Sequence, residues 1–389
     1  MNWLLTRQYA SLIAVTLAGL AILGALWIAA RRSTTDVTGS ALPAGQSPAS
    51  TPGDADQWQT RPVRLVRGYL TASRNSDEPA FPAAGVTVNL HDLYDLPPAK
   101  DEIAALQEID ISVVTAAAAI SLSDDDLVFG VQLYGHRRCY PRNLLARHCL
   151  VNDRLSEEPV LICFDPPSGA CMAFIRPSDT DGPYHFAVSG LAYNGMGLPY
   201  DRQTRSLWYP LSGRAIVGAK ADEPVQLKRI VGDAMTWAAW RELWPDTTVL
   251  APETGYQHDY STDPYTRMQE PAGQTVNYYE SDLLLAPDAL SDTTGTMADK
   301  AEVLGVTLPA GALAVPVAEA FAAATDEPHT FSRESKFGTL HLEVDAQARR
   351  IHLTMPGNVR PPQVRLFWYA WRAAYPETTI WHMEDSPDE

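Results

Sequence analysis

Short stretches in which apolar and polar residues alternate recur along most of the chain from Arg61 onward. They include VRLVRGYL and GVTVNL before Leu96, and later VLICFDP, ACMAFIRP and YHFAVSGLAYN. Alternation with a period of two predicts short β-strands, and the Pro, Gly and Ser residues between these runs predict turns. The pattern therefore predicts a strand-rich α+β body.

Helical spacing is confined to short segments of this body. We predict a short helix or turn at Asp101–Ile109, an amphipathic helix at Arg142–Leu150 and a clear helix at Asp233–Trp244. In the last of these, Trp237, Trp240 and Trp244 follow one another at spacings of three and four. This spacing places the three indoles on one face, which is typical of a helix that packs on a core.

One arrangement of elements occurs twice in the sequence. Leu127–Leu145 predicts a strand, a tight turn at Tyr134–Gly135, a second strand and a helix, and Val303–Phe321 repeats this order. The later segment TWAAWRELWPDTTVL is echoed by LFWYAWRAAYPETTIW near the end of the chain. Two copies of one α+β unit account for both echoes. We therefore assign residues 61–260 to a first globular unit and residues 261–389 to a second, eroded repeat unit.

The first 32 residues predict a membrane anchor. Tyr9–Ala30 contains 22 residues and no charge, and as a helix it would span roughly 33 Å, enough to cross the hydrocarbon core. The run is longer than the apolar region of a signal peptide, and no Ala-x-Ala cleavage site precedes Arg31. We therefore predict a retained, single-pass transmembrane helix over residues 1–32.

Small residues line one side of this predicted helix. Ala14, Ala18, Ala21 and Ala25 recur at spacings of four, three and four, so a second transmembrane helix could approach this face closely. Residues 33–60 are rich in Ser, Thr, Gly, Pro and Ala and have no hydrophobic period. This composition predicts a flexible linker between the anchor and the body.

Composition and charge narrow the possible partners. Hydrophobic residues make up 46 % of the chain and charged residues 20 %, values typical of a globular protein. The net charge is −17; because the first 32 residues carry three arginines and no acid, the remainder carries −20. Such an acidic body repels phosphate backbones, so nucleic acid is not an expected partner. The lipid bilayer is the partner that the apolar run implies.

Several ordered segments of the body resemble a bacterial family known as domain-of-unknown-function family 3179. They are FGVQLYGHRRCYPRNLLARHCLVND, FAVSGLAYN, YDRQTRSLWYPLSGRAIVG, TWAAWRELWPDTTVL and ETGYQHDYSTDPY. The resemblance extends from about Asp101 to Trp381. Members of the family are usually exported or membrane-attached, which implies an inner-membrane protein with a periplasmic body. No reaction is established for the family.

The chain departs from the family pattern at one turn. Where the family carries a Cys-Pro-Leu-Cys stretch followed by Gly-Ser, this chain has Asp165-Pro166-Pro167-Ser168-Gly169-Ala170. Two thiols on one turn could chelate a soft metal or exchange disulfides, and both are replaced here. The histidine that precedes Val-Asn-Asp in the family is retained as His148. The resemblance therefore implies that any metal or redox chemistry of the family is lost in this chain.

The four cysteines leave alternatives open. A residual metal site could combine His148, Cys149, Cys163 and Cys171, with Asp165 as a further ligand, since imidazole and thiolates bind zinc or copper. Their spacing matches no standard metal motif. Together with Cys139, the cysteines could equally form disulfides or remain inert, buried thiols. We expect no metal and no cofactor.

The densest polar segment is a second candidate site. Asp201, Arg202 and Trp208 lie close together in the sequence, and Arg202 could pair with an anionic ligand. The alternative interpretation is a hairpin whose Asp and Arg satisfy buried backbone groups. The acidic run Asp124–Asp126 lacks the ligand spacing of a calcium loop and predicts a solvated turn.

Three functional hypotheses follow. The chain contains no nucleophile elbow, P-loop, dinucleotide fingerprint or His-Glu-x-x-His helix, and we expect no catalytic residues. The first hypothesis is a non-catalytic accessory subunit that binds and stabilises a larger inner-membrane complex through its anchor and acidic body. The second is a membrane-anchored periplasmic metal-binding or thiol-redox protein. The third is a small-ligand-binding module.

Overall fold

A computed structural model describes residues 60–71, 80–119, 121–270, 273–324, 327–335 and 338–385. All of these belong to one compact unit, which spans residues 50–389. The predicted anchor, its four alanines Ala14, Ala18, Ala21 and Ala25, and all but the last residue of the predicted linker lie outside the described residues. No helix within the described ranges is both long and apolar enough to cross a bilayer.

The body is rich in short strands, and its four described α-helices have seven residues each, which confirms the predicted strand-rich α+β class. The elements up to residue 250 are β1 (Arg61–Pro62), β2 (Arg64–Val66), β3 (Tyr69–Thr71), β4 (Phe81–Pro82), β5 (Leu93–Asp95), β6 (Val113–Thr115), β7 (Leu127–Leu133), β8 (His136–Pro141), α1 (Arg142–His148), β9 (Leu150–Leu155), β10 (Glu158–Asp165), β11 (Ala170–Ile175), β12 (Ser178–Asp179), β13 (Gly182–Pro183), β14 (Phe186–Tyr193), β15 (Met196–Asp201), β16 (Leu207–Tyr209), β17 (Arg214–Val217), β18 (Lys228–Ile230), β19 (Gly232–Thr236), α2 (Trp237–Leu243) and β20 (Thr248–Leu250).

The remaining elements include a second set of strands and helices. They are β21 (Met268–Gln269), β22 (Thr275–Val276), β23 (Glu302–Leu308), β24 (Gly311–Pro316), α3 (Val317–Ala323), β25 (His329–Ser335), β26 (Gly338–Asp345), β27 (Arg350–Thr354), β28 (Gln363–Phe367), α4 (Trp368–Ala374) and β29 (Thr379–Ile380).

Two sheets of the body have the same topology. One has the strand order β19-β7-β8-β20, extended by β6, and the other has the order β28-β23-β24-β29. In each sheet the first hairpin leads directly into a helix, and the last strand pairs in parallel with the second hairpin strand. A three-stranded antiparallel meander follows that helix in each case, β9-β10-β11 and β25-β26-β27. The segments that echo each other in the sequence thus occupy equivalent positions.

Each of these two sheets, with the helix and meander that follow its first hairpin, is one copy of a common unit. In each copy a matching glycine and tryptophan pack the helix onto the sheet. In the first copy the Trp240 indole lies over Gly130, where an added Cβ would be 2.2 Å from the ring. In the second copy Trp371 lies over Gly305 at 2.3 Å. Both indoles are essentially inaccessible to solvent. Each donates its Nε1–H to a threonine hydroxyl at 3.0 Å, Thr247 in one copy and Thr378 in the other. The absence of a glycine side chain allows this close contact.

The copies differ by an insertion. In the first copy, strands β12–β18 separate the meander from β19, whereas in the second copy β27 is followed by β28. Four strands of the insertion pair with β1 and β5 in a six-stranded sheet of order β1-β5-β14-β15-β16-β17. One further strand of the insertion, β18, pairs with β11 at the edge of the first meander. This insertion covers the end of the meander that contains Asp165.

Two predicted helices need correction. The predicted helix Asp233–Trp244 begins only at Trp237, because Gly232–Thr236 pairs with β7 as strand β19 and Thr236 caps the helix by accepting from the Ala239 N–H. Trp244 lies beyond the helix, where the Arg137 guanidinium stacks on it. The predicted helix Arg142–Leu150 ends at His148, since Cys149 has a φ of 59° and Leu150 begins β9. The segment Asp101–Ile109, predicted as a short helix or turn, forms turns that lead into a 3₁₀ helix at Glu108–Asp110.

Candidate functional site

The turn between β10 and β11 encloses a buried carboxylate, that of Asp165. Asp165 accepts three hydrogen bonds: from the Ser168 hydroxyl at 2.5 Å, from the Ser168 N–H at 3.2 Å and from the Gly197 N–H at 3.1 Å. Its side chain is only 7 % exposed. The side chains of Asp165 and Ser168 therefore bind each other.

Burial dominates the electrostatics of this carboxyl group. Removal from water raises the pKa of Asp165 to about 6, although the hydrogen bonds from Ser168 and Gly197 act in the opposite direction. Because burial disfavours a charge, the protonated form becomes accessible near neutral pH. Asp165 can therefore act as an acceptor or, once protonated, as a donor.

A small cavity lies beside this carboxyl group. Its volume is about 50 Å³, and its wall includes Asp165, Cys149, Cys163, Tyr265 and Gly197. This volume has room for about two water molecules, at roughly 30 Å³ each. The remaining wall is largely proline, leucine and valine. Such a cavity can hold ordered water or one very small polar molecule against the carboxyl group.

The insertion is what buries Asp165. A Cβ at Gly197 would lie 2.7 Å from Asp165 Oδ1, so the glycine allows β15 to approach the turn. The second copy has the same turn at Asp345, where the Ala348 N–H donates to the carboxylate at 2.8 Å. There Ala348 stands where the first copy has Ser168, no insertion follows the meander, and Asp345 is half-buried.

The second copy holds the Asp165 turn on its other side. The hydroxyls of Tyr278 and Tyr369 donate to the Pro167 carbonyl at 2.9 and 3.0 Å. The Phe367 N–H donates to the Ser168 carbonyl at 2.7 Å. Tyr369 lies on α4 and Phe367 at the end of β28, so both belong to the second copy. The turn is therefore a joint between the two copies.

The cysteines are four free thiols. Burial raises the pKa of all four thiols well above the usual range, which disfavours the thiolate needed for metal binding or exchange. Cys163 pairs with Met172 across the ladder and Phe164 pairs with Cys171. Side chains alternate along a strand, so Cys163 and Cys171 face opposite sides of the sheet. The structure therefore does not bring these two thiols together.

His148 is buried in a separate aromatic cluster. Its Nδ1 hydrogen-bonds the Ala104 carbonyl at 2.7 Å, and its Nε2 hydrogen-bonds the Tyr260 hydroxyl at 2.6 Å. Burial lowers the pKa of His148 to about 4, which keeps the ring neutral. A neutral ring that donates to a carbonyl through Nδ1 accepts from Tyr260 through Nε2. Both ring nitrogens therefore have partners.

The purified protein is expected to contain far less than one equivalent of copper or zinc. Binding at His148 would have to displace Tyr260, and binding at the cysteines would require thiolates that burial disfavours. Across the described ranges, no group of three or more His, Cys, Asp or Glu residues could hold a metal ion. Elemental analysis of the intact chain and of a His148→Ala variant measures this. One equivalent in the intact chain that disappears in the variant would favour a metal protein.

The polar segment around Arg202 forms a hairpin. Asp201 and Trp208 are buried, and the Trp208 Nε1–H donates to Asp201 at 2.9 Å. The Thr204 hydroxyl donates to the same carboxylate. Arg202 is exposed, and its guanidinium pairs with Asp101 at 3.0 Å. Asp201 thus binds side chains within the hairpin, whereas Arg202 faces solvent and binds a carboxylate of a distant segment.

Sequence reasoning missed the joint that Tyr278, Phe367 and Tyr369 form around the Asp165 turn. These residues lie more than 100 positions from the turn, and no local motif connects them with it. One signal was present in the sequence. FDPPSGA and VDAQARR both place an Asp three residues before a small residue, which marks the two turns as equivalent positions of a repeat.

Comparison with known proteins identifies one family. A family model described as "Protein of unknown function (DUF3179)" matches residues 100–352. This range includes the whole first copy and the second copy through strand β26 and into β27. No match was found among the curated proteins or the solved structures.

Proposed function

Because the chain belongs to the DUF3179 family, we propose its function from the turn at which it departs from the family's pattern. We propose a non-catalytic accessory subunit, anchored in the bacterial inner membrane by one N-terminal helix, with its body in the periplasm. In this proposal the protein binds and stabilises a larger membrane-protein complex. The supporting observation is the use of the Asp165 turn as a structural joint.

The contacts of this turn support a structural role. The Asp165 carboxylate accepts three hydrogen bonds, from Ser168 and Gly197. The carbonyls of Pro167 and Ser168 accept three more, from Tyr278, Tyr369 and Phe367. Buried polar groups that are fully hydrogen-bonded rigidify a fold and fix one arrangement. In this chain the turn carries no thiols, and its hydrogen bonds join the two copies of the body. A rigid body suits a subunit that steadies its partners.

The predicted anchor supplies the proposed contact within the bilayer. Lipid tails leave little hydrophobic force between helices, so association depends on close packing of small residues. As a helix, the predicted anchor would present Ala14, Ala18, Ala21 and Ala25 as such a surface. The acidic body, which carries −17 over residues 61–389, would favour a basic surface on the soluble side of the partner.

The double substitution Ala18→Leu with Ala21→Leu is expected to reduce co-purification of the partner complex at least tenfold. Leucine adds bulk at the centre of the alanine face but preserves hydrophobicity and helix propensity, so membrane insertion should be unchanged. Co-purification after mild detergent extraction, with quantitative mass spectrometry of the associated subunits, measures the effect.

The control for this substitution is Leu20→Ala with Leu23→Ala, which changes the helix away from the centre of the stripe and should leave the complex intact. Loss of the complex in both variants would indicate a general disturbance of the anchor. An intact complex in both variants would show that the helix only anchors the protein. No co-purifying membrane protein in the unaltered chain would contradict the proposed function itself.

A further inference from the structure

An exposed apolar pair lies at the tip of the first described hairpin. The hairpin consists of β2, the turn Arg67–Gly68 and β3, and all three residues of β2 are exposed. Leu65 is 56 % and Val66 48 % exposed. Both turn residues have positive φ, at 51° and 83°, as tight hairpin turns require. We call Arg64–Tyr69 with Arg205 the basic hairpin surface.

Three arginines surround this apolar pair. Arg64 and Arg67 are exposed on the hairpin, and the Arg205 guanidinium lies 5.9 Å from the centre of the Tyr69 ring. None of the three pairs with a carboxylate of the described residues. The three guanidinium groups therefore add positive charge to the surface of a chain whose acidic residues outnumber Lys and Arg by 47 to 30.

The combination of residues identifies the class of partner. Exposed aliphatic side chains flanked by arginine and tyrosine are typical of surfaces that lie in a lipid headgroup region. Arginine stems pack along apolar surface while their charged ends reach anionic groups. We propose that the basic hairpin surface docks on the anionic headgroups of the bilayer that holds the anchor. The proposal rests on the membrane attachment proposed above and adds an orientation for the body.

Charge sets the expected strength of this docking. Each arginine close to an anionic surface raises binding roughly fivefold. Removal of two arginines should therefore weaken docking by roughly 25-fold. The attraction acts within about 10 Å at moderate salt and is screened at high salt. An acidic body would otherwise be repelled by the same surface, so docking should be confined to this hairpin.

Hydrogen exchange on the full chain tests the proposal. The chain is reconstituted into nanodiscs of phosphatidylcholine alone or of phosphatidylcholine mixed with phosphatidylglycerol. We expect peptides that cover residues 64–71 to exchange at least fivefold more slowly in the anionic discs, and to lose this protection at high salt. The double variant Arg64→Gln with Arg67→Gln should remove the protection. Leu65→Ser with Val66→Ser should reduce it without removing the salt dependence.

The matched control removes two exposed arginines elsewhere. Arg214 lies on β17, and Arg241 pairs only with the exposed Asp124, so Arg214→Gln with Arg241→Gln changes the net charge equally. This control should keep the protection. Equal exchange in the two kinds of disc would overturn the proposal. Protection in detergent that grows with protein concentration would also overturn the proposal, because another molecule of the same protein would then cover the hairpin.

Failure of the anchor can be distinguished from failure of the hairpin. If the chain does not enter the discs, the proposed membrane attachment is wrong. The hairpin is then tested by flotation of the same chain with phosphatidylglycerol vesicles. If the chain floats with the vesicles and the Arg64→Gln, Arg67→Gln variant does not, lipid docking by the hairpin is supported. If the variant floats as well as the unaltered chain, or neither floats, the proposal is overturned.

Discussion

Replacement of Gly130 by alanine is expected to lower the free energy of unfolding by at least about 3 kcal/mol, the upper end of ordinary overpacking costs. The new Cβ would lie 2.2 Å from the Trp240 ring. The indole cannot easily move away, because its Nε1–H is held by Thr247 at 3.0 Å and the ring is fully buried. Denaturant unfolding of the full chain in detergent, followed by circular dichroism, measures the change.

A compensating substitution separates this clash from a general effect on strand β7. Trp240→Leu removes the ring and leaves space, so Gly130→Ala should cost much less in that background than alone. Gly305→Ala should behave like Gly130→Ala, because an added Cβ would meet Trp371 at 2.3 Å in the second copy. A Gly130→Ala variant as stable as the unaltered protein would contradict the packing described here.

Asp165→Asn is expected to change stability in a pH-dependent way. Burial raises the pKa of Asp165 to about 6 in the folded protein, from 3.8 for an exposed aspartate. The folded state therefore binds this proton more tightly, and the charged form destabilises it by roughly 3 kcal/mol. This destabilisation is absent below about pH 4, grows as the pH rises and is complete above about pH 6. Asparagine does not titrate.

The free energy of unfolding of Asp165→Asn, relative to the unaltered protein, should therefore rise by roughly 3 kcal/mol between about pH 4 and about pH 7.5. Denaturant unfolding of both proteins at the two pH values provides this difference. Asp345→Asn is the matched control at the equivalent turn, where the carboxylate is half-buried and accepts from the Ala348 N–H; only a pH-dependent difference that this control does not share is specific to the buried Asp165 carboxyl. A pH-independent difference for Asp165→Asn would mean that the buried carboxyl does not titrate in this range.

The sequence predicted the repeated local structure well. The turn at Tyr134–Gly135 forms as expected, with φ values of 50° and 82°. Both helices that follow a proline, α1 and α3, begin directly after Pro141 and Pro316. These signals act over a few residues, through backbone preferences and hydrophobic period. Two of the three tryptophans that were assigned to a helix face, Trp237 and Trp240, are buried.

Local signals also misled at predictable points. The predicted helix Asp233–Trp244 overlaps strand β19 (Gly232–Thr236), which pairs with β7 because ladder hydrogen bonds to a distant segment outweigh a weak local preference. Arg202 and Asp101 lie 101 positions apart in the sequence, and their ion pair was not predicted. Partners at such distances depend on how the chain folds, and no spacing rule can supply them.

The sequence by itself determined the family and the strand-rich class. Residue types and short-range order are enough for these conclusions. Only the tertiary structure decided what the turn at Asp165 does. The insertion between β11 and β19 places Gly197 against Asp165, and Tyr369 reaches Pro167 from 202 positions away. These contacts between distant segments bury Asp165, raise its pKa and form the joint between the two copies. Local order along one strand cannot encode such contacts, because they depend on how the whole chain folds.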